Sequence, residues 1–215
     1  MTSGRDRHSG GVNFLGHTFV AQATGADDPE FLFGAALPDL VSMAGVRLDR
    51  GGLDGRLSEG VRCHIEVDAA FHAHPEFRTG MAAIRSGLAG HDLGRGPARA
   101  IGHIGWELLL DGTLLGSATE TAFWRALDVA PQHADVVVPG DRERWDRFLD
   151  RLSVTPRPEL RYDDPEWVAE RLYLMLSGRP HLSFPLASVP AVTWVLEDQL
   201  PAVVAVADTV LADLP

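Results

Sequence analysis

Residues 101–111 read Ile101-Gly102-His103-Ile104-Gly105-Trp106-Glu107-Leu108-Leu109-Leu110-Asp111, and they are apolar apart from one histidine and two acids. Residues four apart are neighbours on the surface of an α-helix, so a helix here would place His103, Glu107 and Asp111 along one face. Acids buried in such a helix need partners, because an unpaired charge in a protein core is very costly. A cation shared with other ligand-type side chains would neutralise both acids.

A second ladder of polar side chains has the same spacing. His64, Asp68 and His72 lie four residues apart, beside the apolar residues Val61 and Phe71. If both ladders are helical and face each other, their imidazole and carboxylate groups would form a metal site. The simpler alternative is that the histidines and acids form hydrogen-bonded pairs within each helix, since structural ion pairs of this kind are common.

Two residues outside the ladders extend the candidate ligand set. His17 lies within an apolar N-terminal segment, and Asp39 follows Pro38. Taken singly, His17 could be a core histidine and Asp39 a capping or turn residue. With the ladders, they complete a candidate metal set of His17, Asp39, His64, Asp68, His103 and Asp111. Mixed imidazole and carboxylate ligands suit a divalent Mn, Zn or Fe ion, whereas Ca prefers oxygen ligands alone.

The dominant hydrophobic period of the chain is helical. It predicts helices over 12–24, 31–40, 58–74, 75–88, 98–115, 117–128, 141–152, 164–178 and 187–213. Ser58 is the predicted N-cap of the first ladder helix, and the Gly- and Asp-rich residues 46–57 are predicted to form a loop. Only residues 131–140 resemble a strand. The prediction is a flexible N-terminus over 1–11 and a single-domain, all-α helical bundle over 12–215 that binds a metal.

Composition limits the classes of function. The formal net charge of −11 argues against nucleic acid as the main partner, because nucleic-acid binding needs clustered positive charge. Cys63 is the only cysteine, which excludes an intramolecular disulfide and a cysteine-based zinc site. The sequence has no signal-peptide pattern and no apolar stretch long enough to span a bilayer, so we expect a cytoplasmic protein with no membrane partner.

Several short motifs occur in a characteristic order. They are Asn13-Phe14-Leu15-Gly16-His17, residues 34–39, Gly60-Val61-Arg62-Cys63-His64 with Asp68 and His74-Pro75, the stretch Leu174-Met175-Leu176-Ser177-Gly178-Arg179-Pro180-His181-Leu182, and Leu196-Glu197. In their order and spacing these motifs resemble the acyl carrier protein phosphodiesterase family, an all-helical relative of the HD-domain phosphohydrolases. The resemblance spans most of the chain and implies an HD-domain-like fold.

The resemblance also implies a function, that of a metal-dependent phosphodiesterase. Members of the family remove the phosphopantetheine arm from a serine of acyl carrier protein, using a metal-bound water on the phosphodiester. By motif, His17, Asp39, His64 and Asp68 correspond to the family's polar positions. The expected substrate therefore contains a phosphodiester, and acyl carrier protein is one candidate.

The chain departs from the family pattern at the ladders. It has Glu107 where the family places an Asp-His pair, and His72 where an Asp is common. In a hydrolase, we expect Glu107 or Asp111 to accept the proton of the attacking water. We expect His72 or His74 to protonate the leaving alkoxide near neutral pH. Arg62 is a candidate ligand for a phosphate oxygen, with an ordinary surface arginine as the alternative.

Two other classes of function fit the same residues. The helices could hold an iron or zinc centre without hydrolytic activity, because carboxylate-bridged dimetal bundles use similar ligands. The chain could also be a helical interaction protein whose ladders are internal salt bridges. In every case we expect the histidines in terminal or loop contexts to be dispensable, namely His8, His91, His133 and His181.

Overall fold

The computed structural model describes residues 14–24, 27–154 and 159–215. These residues form nine α-helices: α1 (Phe14–Ala23), α2 (Pro29–Ala44), α3 (Gly55–Ala73), α4 (Pro75–Gly87), α5 (Arg95–Gly112), α6 (Ala118–Leu127), α7 (Arg142–Leu152), α8 (Pro165–Ser177) and α9 (Val189–Ala212). The only β pairing among them is an isolated antiparallel bridge between Leu48 and Val137. The prediction of an all-α bundle is therefore confirmed, whereas the predicted flexible segment 1–11 lies outside the described residues.

Two local predictions are corrected by the structure. The strand-like residues 131–140 form short 3-10 turns, because after the one bridge at Val137 the chain has no neighbouring strand to pair with in the described region. The N-cap of α3 is Asp54 and not Ser58, so the helix begins one turn earlier than predicted. Ser58 lies inside the first turn of α3, where the backbone N–H of Ser58 donates to the Asp54 carbonyl.

Helix α2 is longer than the sequence predicted. Asp28 accepts a hydrogen bond from the backbone N–H of Phe31, and Pro29 occupies the first helical position, where its missing N–H has no cost. The helix continues through Pro38 and ends at Gly45, whose φ of 65° is left-handed and typical of a glycine C-cap. Asp39 lies inside this helix, with its side chain in the protein interior.

Helices α2 and α3 approach each other closely through two glycines. A Cβ atom added to Gly60 would lie 2.1 Å from the Phe31 carbonyl oxygen, and one added to Gly34 would lie 2.3 Å from the Leu57 carbonyl oxygen. The backbones can therefore touch only because neither residue has a side chain. This contact places His64, one turn after Gly60, directly against α2.

Helix α5 is the centre of the bundle. Its apolar residues Ile101, Leu108, Leu109 and Leu110 are buried, and it packs against α1, α4, α8 and α9. This burial surrounds the polar residues of the second ladder with apolar side chains. Among the described residues, no helix combines the length and apolar character needed to cross a membrane.

Substitution Gly60→Ala tests the close approach of α2 and α3. The added methyl group would collide with backbone atoms that cannot rotate away, so we expect the free energy of unfolding to fall by about 3 kcal/mol. Chemical denaturation measures this change. The matched control is Gly178→Ala, because an added Cβ there meets no atom within 4 Å and should change stability by less than about 0.5 kcal/mol. Similar losses in the two variants would contradict the predicted collision.

Candidate metal centre

Side chains from three helices converge into two adjacent groups of potential metal ligands. The first group contains His17 of α1 with His64 and Asp68 of α3, and the second contains His72 of α3 with His103 and Glu107 of α5. Within each group, one ligand-type atom from each residue lies within 4.8 Å of the others. The structure thus brings most of both predicted ladders together at one place.

The two imidazoles of the first group differ in their hydrogen bonding. Nδ1 of His64 lies 2.8 Å from the Ala35 carbonyl oxygen, so Nδ1 carries the proton and donates it, while Nε2 keeps its lone pair. The His17 ring stacks on that of His64, with ring centroids 3.9 Å apart. Nδ1 of His17 is buried and has no hydrogen-bond partner among the described residues. A metal ion would satisfy that nitrogen.

Burial keeps both histidines of the first group neutral. It lowers the pKa of His17 well below its usual value, and the nearby imidazoles of His64 and His72 lower it further. Burial also lowers the pKa of His64, although the hydrogen bond to Ala35 partly offsets this effect. A neutral imidazole is the form that binds a metal, so this pair is already in the ligand form near neutral pH.

In the second group, two imidazoles contact one carboxylate oxygen. Nε2 of His72 lies 3.1 Å and Nε2 of His103 lies 3.0 Å from Oε1 of Glu107. The His103 contact lacks hydrogen-bond geometry, so within the described part of the chain its buried Nε2 has no hydrogen-bond partner. Burial opposes ionisation of Glu107, but the two imidazoles hold the pKa of its carboxyl below the usual value. Glu107 is therefore a buried carboxylate that needs positive charge beside it.

His72 connects the two groups. Its Nδ1 lies 3.3 Å from Oδ2 of Asp68, while its Nε2 reaches Glu107. Burial alone would lower the pKa of His72, but the hydrogen bonds with Asp68 and Glu107 raise it to about 9. The imidazolium of His72 thus supplies a positive charge between two carboxylates when no metal is bound.

The cluster has a closed end and an open end. His17, His64 and Glu107 are buried, whereas the side chains of Asp68 and His72 are 35% and 25% exposed. A substrate would therefore meet Asp68 and His72 first. Aromatic rings form the wall behind the second group, with the ring centroid of Phe77 5.2 Å from that of His72 and packed edge-on against His103. Spacing did not predict a site role for Phe77, because the sequence shows it only as an apolar residue that follows Pro75.

Asp39 lies beside the cluster and contacts His17. Oδ2 of Asp39 is 3.8 Å from Nε2 of His17, and both side chains are buried. Asp39 belongs to neither ligand group. Carboxylates often contact the second nitrogen of a metal-binding histidine and fix the orientation of its ring. The structure therefore favours Asp39 as an orienting residue for His17, and not as a direct ligand.

Asp111 has a structural role that the ladder spacing did not predict. Its Oδ2 accepts the backbone N–H of Leu15 at 3.0 Å, and its Oδ1 accepts that of Gly16 at 2.8 Å. These N–H groups belong to the first turn of α1, where backbone donors have no partners within the helix. Both oxygens are thus engaged, and Asp111 lies outside the two ligand groups.

Two other predicted site residues lie outside the cluster. His74 is the N-cap of α4, where its Nδ1 accepts the Glu76 backbone N–H and its Nε2 faces Asp213. Arg62 lines a separate cavity of about 210 Å³ beside Glu59 and Cys63. Neither residue belongs to the two ligand groups.

The histidines that we expected to be dispensable are also absent from both groups wherever the structure describes them. His91 and His181 are exposed, and His133 faces Glu30 at 3.6 Å. His8 lies outside the described residues.

Comparison with known proteins identifies no relative of this chain. No protein-family model, curated protein or solved structure matches it. The likeness to acyl carrier protein phosphodiesterases is therefore a resemblance of ordered short motifs. Any assignment of function depends on the chemistry of the cluster itself.

The position of His72 between two carboxylates predicts a pH dependence of the metal-free protein. A pKa raised to about 9 means that the folded state holds this proton more tightly than the unfolded state. Its contribution to stability is complete below about pH 6.5 and is lost as the pH rises through 9. We expect the free energy of unfolding, measured in EDTA, to fall more steeply over this interval in the unsubstituted protein than in His72→Gln.

The control for this experiment is His91→Gln, which removes an exposed histidine outside the cluster. It should retain the pH dependence of the unsubstituted protein. Parallel pH profiles for the unsubstituted protein and His72→Gln would show that His72 is not held between Asp68 and Glu107.

Proposed function

We infer that this chain is a metal-dependent phosphodiesterase, an HD-domain-like helical protein related to the acyl carrier protein phosphodiesterases. The observation that supports this most directly is the first ligand group. Two buried neutral imidazoles and one carboxylate converge there, and Nδ1 of His17 has no hydrogen-bond partner among the described residues. A helical interaction protein would have no need for such a nitrogen, because buried polar atoms normally have partners.

The donor set fits a divalent Mn, Zn or Fe ion. His17, His64 and Asp68 would bind it, since their two imidazoles and one carboxylate are ligands that these metals accept. Three protein ligands leave coordination positions open for water and substrate, as in catalytic zinc sites. A divalent ion supplies Lewis acidity there, which activates water and stabilises the charge that develops on a phosphoryl oxygen.

The second group would supply proton transfer. His72 is partly exposed, and the hydrogen bonds with Asp68 and Glu107 keep it protonated. It can therefore approach a phosphodiester as a cation and give its proton to the leaving alkoxide. Glu107 is only 1% exposed, and its Oε1 lies 3.1 Å from Nε2 of His72. In this mechanism Glu107 would orient His72 and accept the proton of the attacking water.

The exposed end of the cluster determines which substrates can reach it. A phosphodiester on the surface of a larger molecule could contact Asp68 and His72 without entering the protein interior. Acyl carrier protein remains the candidate substrate implied by the motifs. Because this chain carries a net charge of −11, nucleic acid is disfavoured as the substrate. With one cysteine and no disulfide, the cytoplasm remains the proposed location.

A second candidate is a dimetal protein without hydrolytic activity. It is favoured by the position of Asp68, which belongs to the first group and also lies 3.3 Å from His72 of the second. If His72 lost its proton, each group could hold one ion, and Asp68 could bridge them as carboxylates do in dimetal helical bundles. Metal stoichiometry and hydrolysis together separate the two candidates.

Metal content and hydrolysis should respond differently in the two groups. Elemental analysis by mass spectrometry should find one ion per chain in the unsubstituted protein and none in His64→Ala, which should also unfold at a lower temperature. His72→Gln should keep its metal but hydrolyse a dialkyl phosphodiester such as glycerophosphoethanolamine with added Mn²⁺ about 10²-fold more slowly, because its alkoxide leaving group needs the proton donor. His91→Ala is the matched control and should match the unsubstituted protein in both assays.

Each failure has a distinct meaning. Unchanged metal content in His64→Ala would refute the ligand assignment. Two ions per chain without hydrolysis would favour the dimetal protein. Full hydrolysis of the dialkyl phosphodiester by His72→Gln would exclude His72 as the proton donor.

A further inference from the structure

A groove at the C-terminal end of α2 has an apolar lining and shares no residue with the metal cluster. It has a volume of about 420 Å³ and lies between the C-terminal end of α2 and the helices α7 and α8. Its apolar wall consists of Met43, Phe148, Leu152, Leu174 and Met175. None of the six residues of the two ligand groups lines it. Its volume lies within the range of small-molecule sites.

Three arginines line the same groove. They are Arg151 of α7, Arg171 of α8 and Arg179, which follows α8. The guanidinium carbon of Arg151 lies 5.9 Å from the ring centroid of Phe148, and that of Arg171 lies 5.9 Å from the ring centroid of Trp167. Such stacking holds a guanidinium in place and leaves its N–H groups available for another partner. Guanidinium groups from both α7 and α8 therefore line the groove.

The three arginines of the groove take part in no ion pair among the described residues. By contrast, Arg147 pairs with Glu143 on α7 itself. The chain has 30 acidic residues and 19 basic ones, so acids are abundant. Three arginines thus line one groove of a protein whose formal net charge is −11, and they are the positive charges that an anionic head group would meet there.

Charged and apolar residues alternate along α8 and just beyond its end. Arg171 is followed after one turn by Leu174 and Met175, and Arg179 lies one turn further. Leu174 is 62% exposed, although it is a large apolar residue. A ligand chain could cover Leu174 and Met175 while its charged end contacts a guanidinium.

We propose that this groove binds a small anionic amphiphile, an alkyl or acyl chain that ends in a carboxylate or a phosphate group. The arginines would bind the anionic end through paired N–H donors. The apolar wall would remove the chain from water, with a gain that grows with each buried methylene group. An acidic helix of a protein partner offers similar chemistry, but a groove of about 420 Å³ has the volume of a small-molecule site. This site does not depend on the metal or on hydrolysis.

Calorimetric titration of the full chain in EDTA tests the proposal. Decanoate and decyl phosphate, below their micelle concentrations, should each bind with one molecule per chain, and the stronger of the two identifies the preferred head group. Decanol lacks the charge and inorganic phosphate lacks the chain, so both should bind at least about 10-fold more weakly. EDTA prevents a phosphate head group from binding to a metal ion.

Substitutions locate the binding site. Arg171→Gln, Arg179→Gln and Leu174→Ser should each weaken binding by about 10-fold, which corresponds to the loss of one good contact. Arg179→Lys keeps the charge and should weaken binding less than Arg179→Gln. The matched controls are Arg99→Gln and Val204→Ser, at exposed positions on α5 and α9 that should leave binding unchanged. Thermal unfolding of each variant shows that it is folded.

Several results would overturn the proposal. If decanol bound as tightly as the two amphiphiles, the arginines would have no role in binding. If inorganic phosphate bound as tightly as they do, the apolar wall would have none. Equal weakening by the controls would place binding elsewhere on the surface. Loss of binding in His64→Ala would place it at the metal cluster. Binding of an acidic amphipathic peptide without binding of either amphiphile would assign the groove to a protein partner.

Discussion

The hydrogen bond between Nδ1 of His64 and the carbonyl oxygen of Ala35 is the interaction on which the centre depends. It is 2.8 Å long and buried, and it turns the other nitrogen of His64 towards His17 and Asp68. The bond is short because α2 and α3 touch at glycines, with no Cβ to separate their backbones. The packing of two helices thus sets the tautomer and direction of a potential metal ligand. A metal site built in this way is fixed by the core and not by a mobile loop.

A second constraint places His17. Both carboxylate oxygens of Asp111 bind backbone N–H groups in the first turn of α1, at Leu15 and Gly16. Since His17 is the next residue, this contact fixes the start of α1 against α5 and holds the His17 ring over that of His64. Helix α5 therefore acts on both ligand groups. It contributes Glu107 to the second group and, through Asp111, positions His17 of the first. A fold of this kind determines which polar groups meet, and their protonation then follows from burial and from neighbouring charges.

The sequence predicted the parts of this arrangement that depend on local spacing. Helical periodicity located the nine helices of the described region within a few residues, and the spacing of four residues placed His64, Asp68 and His72 on one face. The spacing could not reveal the structural role of Asp111, because its contact with the start of a helix about 95 residues away leaves no local pattern in the sequence. Asp39 and His74 likewise contact residues distant in sequence, which spacing does not reveal. The sequence did not distinguish Asp54 from Ser58 as the N-cap position of α3, because both residue types are common N-caps and both precede the same apolar pattern.

The central claim is that His17, His64 and Asp68 together bind a divalent metal ion. Anomalous scattering from a crystal grown with Mn²⁺ or Zn²⁺, measured at the absorption edge of that metal, would locate the ion directly. We predict a peak about 2.0–2.2 Å from one nitrogen of His17, one nitrogen of His64 and one oxygen of Asp68. A crystal with saturating metal that shows no peak among these three residues would contradict the assignment.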